Sequence, residues 1–123
     1  MDISRLVKTI KEHPDYHKAG MILCHNGVVR ATSRNGEPVS GISITVDHKT
    51  LETIIAKHKS RPGIIEILVE IADAGKLLEI GEDVMLIAVA GDIRENVIAT
   101  LTDTLNGIKK SVTGKTEFFV KKS

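Results

Sequence analysis

Val84 to Ala90 read VMLIAVA, seven apolar residues in succession between Gly81 and Asp92. A run this short, bounded by turn-forming residues, fits a strand better than a helix. Its lack of polar alternation puts that strand at the centre of a sheet, and every other element has to be arranged around it. Ile42, Ile44 and Val46 alternate with polar residues, as in a strand with one buried face. Met21-Ile22-Leu23-Cys24 and then Val28-Val29 read as a buried strand interrupted at Asn26-Gly27 by a turn or bulge. Residues 64–72 (IIEILVEIA) form a further strand, with Glu66 and Glu70 on one face.

Three helices accompany these strands. Ile3, Leu6, Val7 and Ile10 fall at helical spacing behind Asp2, a capping residue, and His13-Pro14 stops that helix. Leu51, Ile54, Ile55 and His58 mark a second helix, closed by Arg61-Pro62-Gly63. Asp92 opens a third, with Glu95 at capping-box spacing and an apolar face of Ile93, Val97, Ile98, Leu101, Leu105 and Ile108. Asn35-Gly36 signals a turn within the polar stretch 31–38, and Gly75 and Gly81 bracket a short crossing segment. Glu117 to Val120 form a last strand before a lysine-rich tail. The order α-β-β-α-β-β-α-β predicts an α+β fold over residues 1–123 as one domain. An antiparallel or mixed sheet carries the three helices mainly on one side.

Composition narrows the function. Of 123 residues 41% are apolar and only 2% aromatic, so the core is aliphatic. Tyr16, Phe118 and Phe119 are too few to stack nucleobases, and a net charge of +1 exerts no overall pull on nucleic acid. The single Cys24 precludes an intramolecular disulfide and fits a reducing compartment. The opening residues lack the apolar stretch of a signal peptide, and no run reaches membrane-spanning length. The expectation is a cytoplasmic protein with neither a membrane nor a nucleic-acid partner, and no motif calls for a cofactor or a metal.

The ordered basic residues carry the chemistry. Arg30 ends a strand just before a polar loop, where a guanidinium can grip a phosphate in a planar, charge-assisted pair. Arg94 stands in the first turn of the third helix, where a cation opposes the helix dipole and a bound anion would relieve the conflict. Lys109 and Lys110 close that helix, and Lys115 follows on a glycine-containing turn. Between residues 107 and 123 five lysines stand against one glutamate, a local charge of +4. At ~1.5 Å per residue Lys109 lies ~22 Å from Arg94 along the helix, so the two cannot hold one small group within a single chain. Gly114-Lys115-Thr116 is not a P-loop, because the first glycine is absent and the segment follows a helix instead of opening one.

Other candidates read as structural. Cys24 and His25 are strand neighbours that point to opposite faces, so they are no dyad, and Cys24 reads as a small core residue. His13 and His17 have i, i+4 spacing, but Pro14 separates them. Glu66, Glu70 and Asp73 read as a solvated face.

Taken in order, these segments resemble the catalytic (large) subunit of molybdopterin synthase from about Gly20 to Glu117. Gly20-Met21-Ile22 leading to Gly27-Val28-Val29-Arg30 is similar to the family's glycine-started strand with its Gly-x-Val-Arg ending. Gly75-Lys76-Leu77 through Ile80-Gly81-Glu82 resembles the family's Gly-x-Leu-x-x-Gly-acid crossing. Ile108-Lys109-Lys110-Ser111-Val112 resembles its Leu-Lys segment, and Lys115-Thr116-Glu117 its second lysine followed by an acid, one residue early. The chain departs from the pattern at Ile93, where the family has a histidine, and at Ala72-Asp73-Ala74, where it has a His-Arg pair. Asp47-His48-Lys49 replaces an aromatic-proline pair, Thr113 a proline, and Gly114 a tryptophan.

The resemblance implies an α/β hammerhead fold and a sulfur-transfer enzyme of molybdenum cofactor biosynthesis. It would convert a cyclic pyranopterin monophosphate to molybdopterin with sulfur from a thiocarboxylate on the C-terminal Gly-Gly of a ubiquitin-like small subunit. Two large subunits would form a homodimer at the centre of a heterotetramer. Lys109 and Lys115 would be the catalytic lysines, and Arg30 and Arg94 would bind the substrate phosphate, across the dimer. The departures leave two alternatives: a non-catalytic paralogue that binds the sulfur carrier or assists assembly, and an α+β domain that binds a phosphorylated metabolite.

Overall fold

The apolar run becomes β5 (Asp83–Gly91), the middle strand of a three-stranded antiparallel sheet. It pairs with β1 (Met21–Val28) on one side and β3 (Ile64–Ile71) on the other, with Val89 opposite both Leu23 and Ile67. Its residues from Met85 to Gly91 are all buried. The reason is that both faces are covered. Met85, Ile87 and Val89 point into a cluster with Val97, Leu101 and Ile108 of α3 (Arg94–Ser111), joined by Leu51, Ile54 and Ile55 of α2 (His48–Lys59). Leu86, Ala88 and Ala90 point the other way, against Leu6 and Ile10 of α1 (Ile3–Lys11). The structure, a computed structural model, describes residues 1–121. Lys122, part of the lysine-rich tail, lies outside the described residues.

The α+β architecture with three helices and antiparallel sheets follows the expectation from the sequence, and two of the three helices share a face. The β-structure is divided, however. A second antiparallel sheet, in the order β4-β2-β6, is formed by β4 (Leu78–Glu79), β2 (Val39–Val46) and β6 (Thr113–Phe119). It has its own core of Val29, Val39, Ile42, Ile44 and Leu78. A bulge between Gly27 and Val28 releases β1 from the first sheet, and Val29 then passes into the second core. Its N–H donates to the Glu82 carbonyl at 2.9 Å.

Caps fix the helix starts. Asp2 accepts from Ser4 N–H at 3.0 Å, and Asp47 accepts from Thr50 N–H at 3.1 Å. These hydroxyl and amide donors hold both carboxyls below the usual carboxylate range. The third helix departs from the expected capping box. Ile93, not Asp92, is its N-cap, and Glu95 pairs with Arg94. Asp92 is otherwise engaged: its N–H donates to the Gly63 carbonyl at 2.9 Å, and its carboxylate accepts from Ile93 N–H and Asn96. Gly63, at φ 80°, leaves room for that carboxylate, since a β-carbon there would come within 2.3 Å of Asp92 Oδ1.

The buried stripe of α3 is also rotated from the expected one. Ile93 and Ile98 are exposed, and Thr100 and Thr104 are buried in their place. The threonines are tolerated because α2 supplies partners: His58 Nδ1 lies 2.8 Å from Thr104 Oγ1, and Arg61 reaches Thr100 and, at 2.8 Å, Asp103. The α1 face likewise corrects the reading of Glu66 as solvated. Its carboxylate is half-buried and takes Lys59 at 2.8 Å, Ile67 N–H at 2.9 Å and His13 at 3.9 Å. It is enclosed because α1 lies over this side of the sheet.

Two stability measurements check these assignments. Ile87→Ala should cost about 3–4 kcal/mol in urea unfolding, whereas Ile98→Ala should cost no more than about 0.5 kcal/mol. Comparable losses would mean that the buried stripe is the one read from the sequence. The second concerns acid. Burial first, then the Arg61 charge, hold His58 below the ordinary histidine value of 6.5. The unfolded chain therefore takes up the proton more readily. The stabilisation is complete above about pH 6.5 and is lost as the pH falls below it. The urea midpoint should drop between pH 7.5 and 5.5, and drop less in His58→Gln, which can hydrogen-bond but not titrate.

Candidate active site

The course of α3 decides which basic residues can meet. β5 ends at Gly91, and α3 turns back along it, so the helix runs in the same direction as β1. The two start together: Gly20 N–H donates to the Gly91 carbonyl at 2.8 Å. From that level, ~1.5 Å per helical residue takes Lys109 ~22 Å beyond Arg94. At ~3.3 Å per strand residue β1 reaches ~17 Å at His25 and ~23 Å at Gly27. Lys109 therefore stands level with the far end of β1, and Arg94 stands at the opposite end.

Lys109 and Lys110 are exposed in the last turn of α3, where cations suit the dipole. Ile108 and Val112, on either side, are buried and anchor that turn. The Val112 carbonyl accepts from Asp47 N–H at 2.8 Å, which joins the helix end to the start of α2. The chain then enters β6 at once. The glycine turn expected before Lys115 is not formed; Gly114 and Lys115 lie in the strand, opposite Thr45 and Ile44. Gly114 N–H donates to Thr45 Oγ1 at 3.2 Å, and a β-carbon at Gly114 would come within 2.7 Å of that oxygen. The hydroxyl thus fills the space a larger residue would need. Lys115 remains exposed, 3.9 Å from Glu117 on the same strand face.

Arg30 follows the β1 bulge. Its Nε donates to the Thr32 carbonyl at 2.9 Å, which holds the side chain along the 31–38 loop and leaves the rest of the fork to solvent. Among the described residues neither Arg30, Lys109 nor Lys110 has an ion-pair partner. Arg30, Lys109 and Lys110 thus offer positive charge without an ion-pair partner, whereas Lys115 has Glu117 beside it. Such a surface suits an anionic ligand. Arg94 is fully at the surface beside Glu95, Nε to Oε1 3.2 Å, and joins no other basic residue.

One further position differs from the reading of the sequence. Cys24 is exposed on the edge strand β1; burial of part of its side chain raises the thiol pKa. His25 points to the α3 face instead, half-buried and within range of the Lys109 charge. Strand alternation set these two apart from the start. The signal for the histidine was Gly27, two residues on along the same face.

The two antiparallel sheets with their three covering helices define the fold of a molybdopterin synthase large subunit. The MoaE protein family model matches residues 1–111, and the chain belongs to that family. MoaE is the catalytic subunit of molybdopterin synthase, and the chain is an enzyme of molybdenum cofactor biosynthesis. Solved structures share the fold. Molybdopterin synthase from Staphylococcus aureus is 21% identical, with 85% of this chain and 78% of that one covered and a TM-score of 0.72. The molybdopterin biosynthesis MoaE protein from Burkholderia ambifaria MC40-6 is 18% identical, covering 100% of this chain and 86% of its own, with a TM-score of 0.75. The complex of subunits 1 and 2 of molybdopterin-converting factor from Helicobacter pylori 26695 is 19% identical, covering 98% and 85%, with a TM-score of 0.65. No curated protein matches the chain in sequence. No helix among the described residues is long and apolar enough to cross a membrane.

Because the basic residues are exposed and unpaired, they contribute little to folding. Lys109→Ala and Arg30→Ala should each unfold within about 0.5 kcal/mol of the parent in urea. A loss of several kcal/mol in either would show a structural role instead.

Proposed function

We propose that the chain, acting as one unit of 123 residues, converts a cyclic pyranopterin monophosphate to molybdopterin. Sulfur arrives on the thiocarboxylated C-terminal tail of a ubiquitin-like small subunit, and the setting is the cytoplasm. What supports the reading is the scaffold of the MoaE family, on which Lys109 closes α3, Lys115 follows in β6 and Arg30 follows β1. The Helicobacter pylori relative, a complex of subunits 1 and 2, supports a small-subunit partner.

Lys109 and Lys115 are the catalytic pair. An amine held near the tail can attack its acyl carbon as a nucleophile, or move protons and offset negative charge as sulfur transfers. Arg30, with most of its fork free, grips the substrate phosphate. Arg94 is too distant to share that phosphate in one chain. It acts from a second copy, in a homodimer at the centre of a heterotetramer.

The test is turnover of precursor pterin with thiocarboxylated small subunit. Lys109→Ala should lower kcat at least about 100-fold, the usual scale for a general acid–base or nucleophilic group. Arg30→Ala should act chiefly through KM. Partner binding without dithiolene product in the unaltered chain would mark a paralogue that kept the scaffold and lost the chemistry. Undiminished turnover in Lys109→Ala would remove that lysine from the site.

A further inference from the structure

The link between Lys109 and Lys115 is gripped by the end of a strand distant in sequence. Asp47 N–H donates to the Val112 carbonyl at 2.8 Å. Val46 pairs with Thr113. Thr45 Oγ1 accepts from Gly114 N–H at 3.2 Å. The last residues of β2 and Asp47 behind them thus hold three successive residues as the chain passes from α3 into β6. The two outer contacts differ in kind. The Asp47 contact joins backbone to backbone, and the burial of Val112 in the core supports it. The Thr45 contact depends on the residue type at both positions. A β-carbon at Gly114 would come within 2.7 Å of Thr45 Oγ1, so the hydroxyl can take this place only against a glycine. β6 is an edge strand that pairs with β2 alone, so its first residues have no second strand to hold them. Lys115 is the next residue after this contact.

We propose that Thr45 is a positioning residue for Lys115. Its hydroxyl fixes Gly114, and through it the start of β6, so that the root of the lysine is held in a set place relative to the end of α3. The proposal rests on the reading of Lys115 as a catalytic lysine. Thr45 acts through the backbone and from behind. It stands opposite Gly114, whereas Lys115 stands opposite Ile44, and neighbouring strand residues face opposite ways. Thr45 is therefore on the other face of the sheet from Lys115 and leaves the lysine's own face clear for a ligand. The Lys115 side chain is exposed, with Glu117 3.9 Å from its amine, so the fold can fix only its backbone root. That root matters because a displacement of about 1 Å in a reacting group can cost a reaction about 100-fold.

Two measurements on the full chain test this. The first is amide hydrogen exchange at Gly114 by NMR, which needs neither pterin nor small subunit. Exchange should quicken about tenfold in Thr45→Val, the scale of one lost hydrogen bond, and return toward the wild-type rate in Thr45→Ser. An unchanged rate in Thr45→Val overturns the proposal. The second is sulfur transfer by the complete complex. Thr45→Val should lower kcat about tenfold with KM for the pterin unchanged, and Thr45→Ser should recover most of the loss. A merely structural contact would lower the urea midpoint and leave kcat of the folded enzyme at its wild-type value, and that result overturns the proposal even if the exchange rate moves. Gly114→Ala pushes the same hydroxyl aside. It should therefore slow the wild-type enzyme yet add little to the loss in Thr45→Ala, which makes room for the added carbon. Equal losses in both backgrounds overturn the proposal. Failure of the parent reading appears separately, as full turnover in Lys115→Ala.

Discussion

Burial of β5 on both faces is the constraint on which the rest of the molecule depends. Seven consecutive apolar residues, Val84 to Ala90, leave no face for water. The strand needs a neighbour on each edge and helices above and below. α3 and α2 cover one face and α1 the other. The direction of α3 then follows, because the chain leaves β5 at Gly91 and has only two residues, Asp92 and Ile93, in which to turn back. That return stroke takes the helix C-terminus to the far end of β1. The position of Lys109 is therefore a consequence of how the central strand is covered.

The site illustrates how a fold concentrates charge in a chain with almost none overall. Net charge is +1, and several cations are matched locally: Arg5 with Glu70, Lys59 with Glu66, Arg61 with Asp103. Arg30 after β1 and Lys109 and Lys110 at the end of α3 have no such partner among the described residues. Exposed pairs of this kind add little to stability, so their value lies in the field they leave behind. Paired charges cancel at a distance, and the unpaired ones dominate what an approaching anion meets.

Much of the fold was legible in the residues. The three helices announced themselves through 3.6-residue spacing, the Asp2 cap and the His13-Pro14 and Arg61-Pro62-Gly63 stops. The strands at 42–46 and 84–90 were legible through alternation and its absence. Less legible was anything set by a neighbour distant in sequence. Thr100 and Thr104 look like the polar face of α3 until His58 and Arg61 of another segment supply their partners. Asp92 looks like a cap until the Gly63 carbonyl and open space beside it claim the residue. Gly114 looks like a turn until Val39–Val46 pairs with it and extends it into a strand. The separation into two sheets was hidden for the same reason, since one bulge at Gly27/Val28 redirects the chain.

Of the site, the sequence by itself determined the inventory: which residues are basic, that Arg94 and Lys109 sit at opposite ends of one helix, and that Cys24 and His25 face apart. These follow from local geometry, because rise per residue and strand alternation are properties of the backbone alone. Only the tertiary structure decided which members of the inventory meet. β1 and α3 are separated by more than sixty residues, and nothing local says that they run in the same direction from a common start. Burial of β5 imposes that arrangement, and it takes Lys109 toward the far end of β1 and leaves Arg94 near its start.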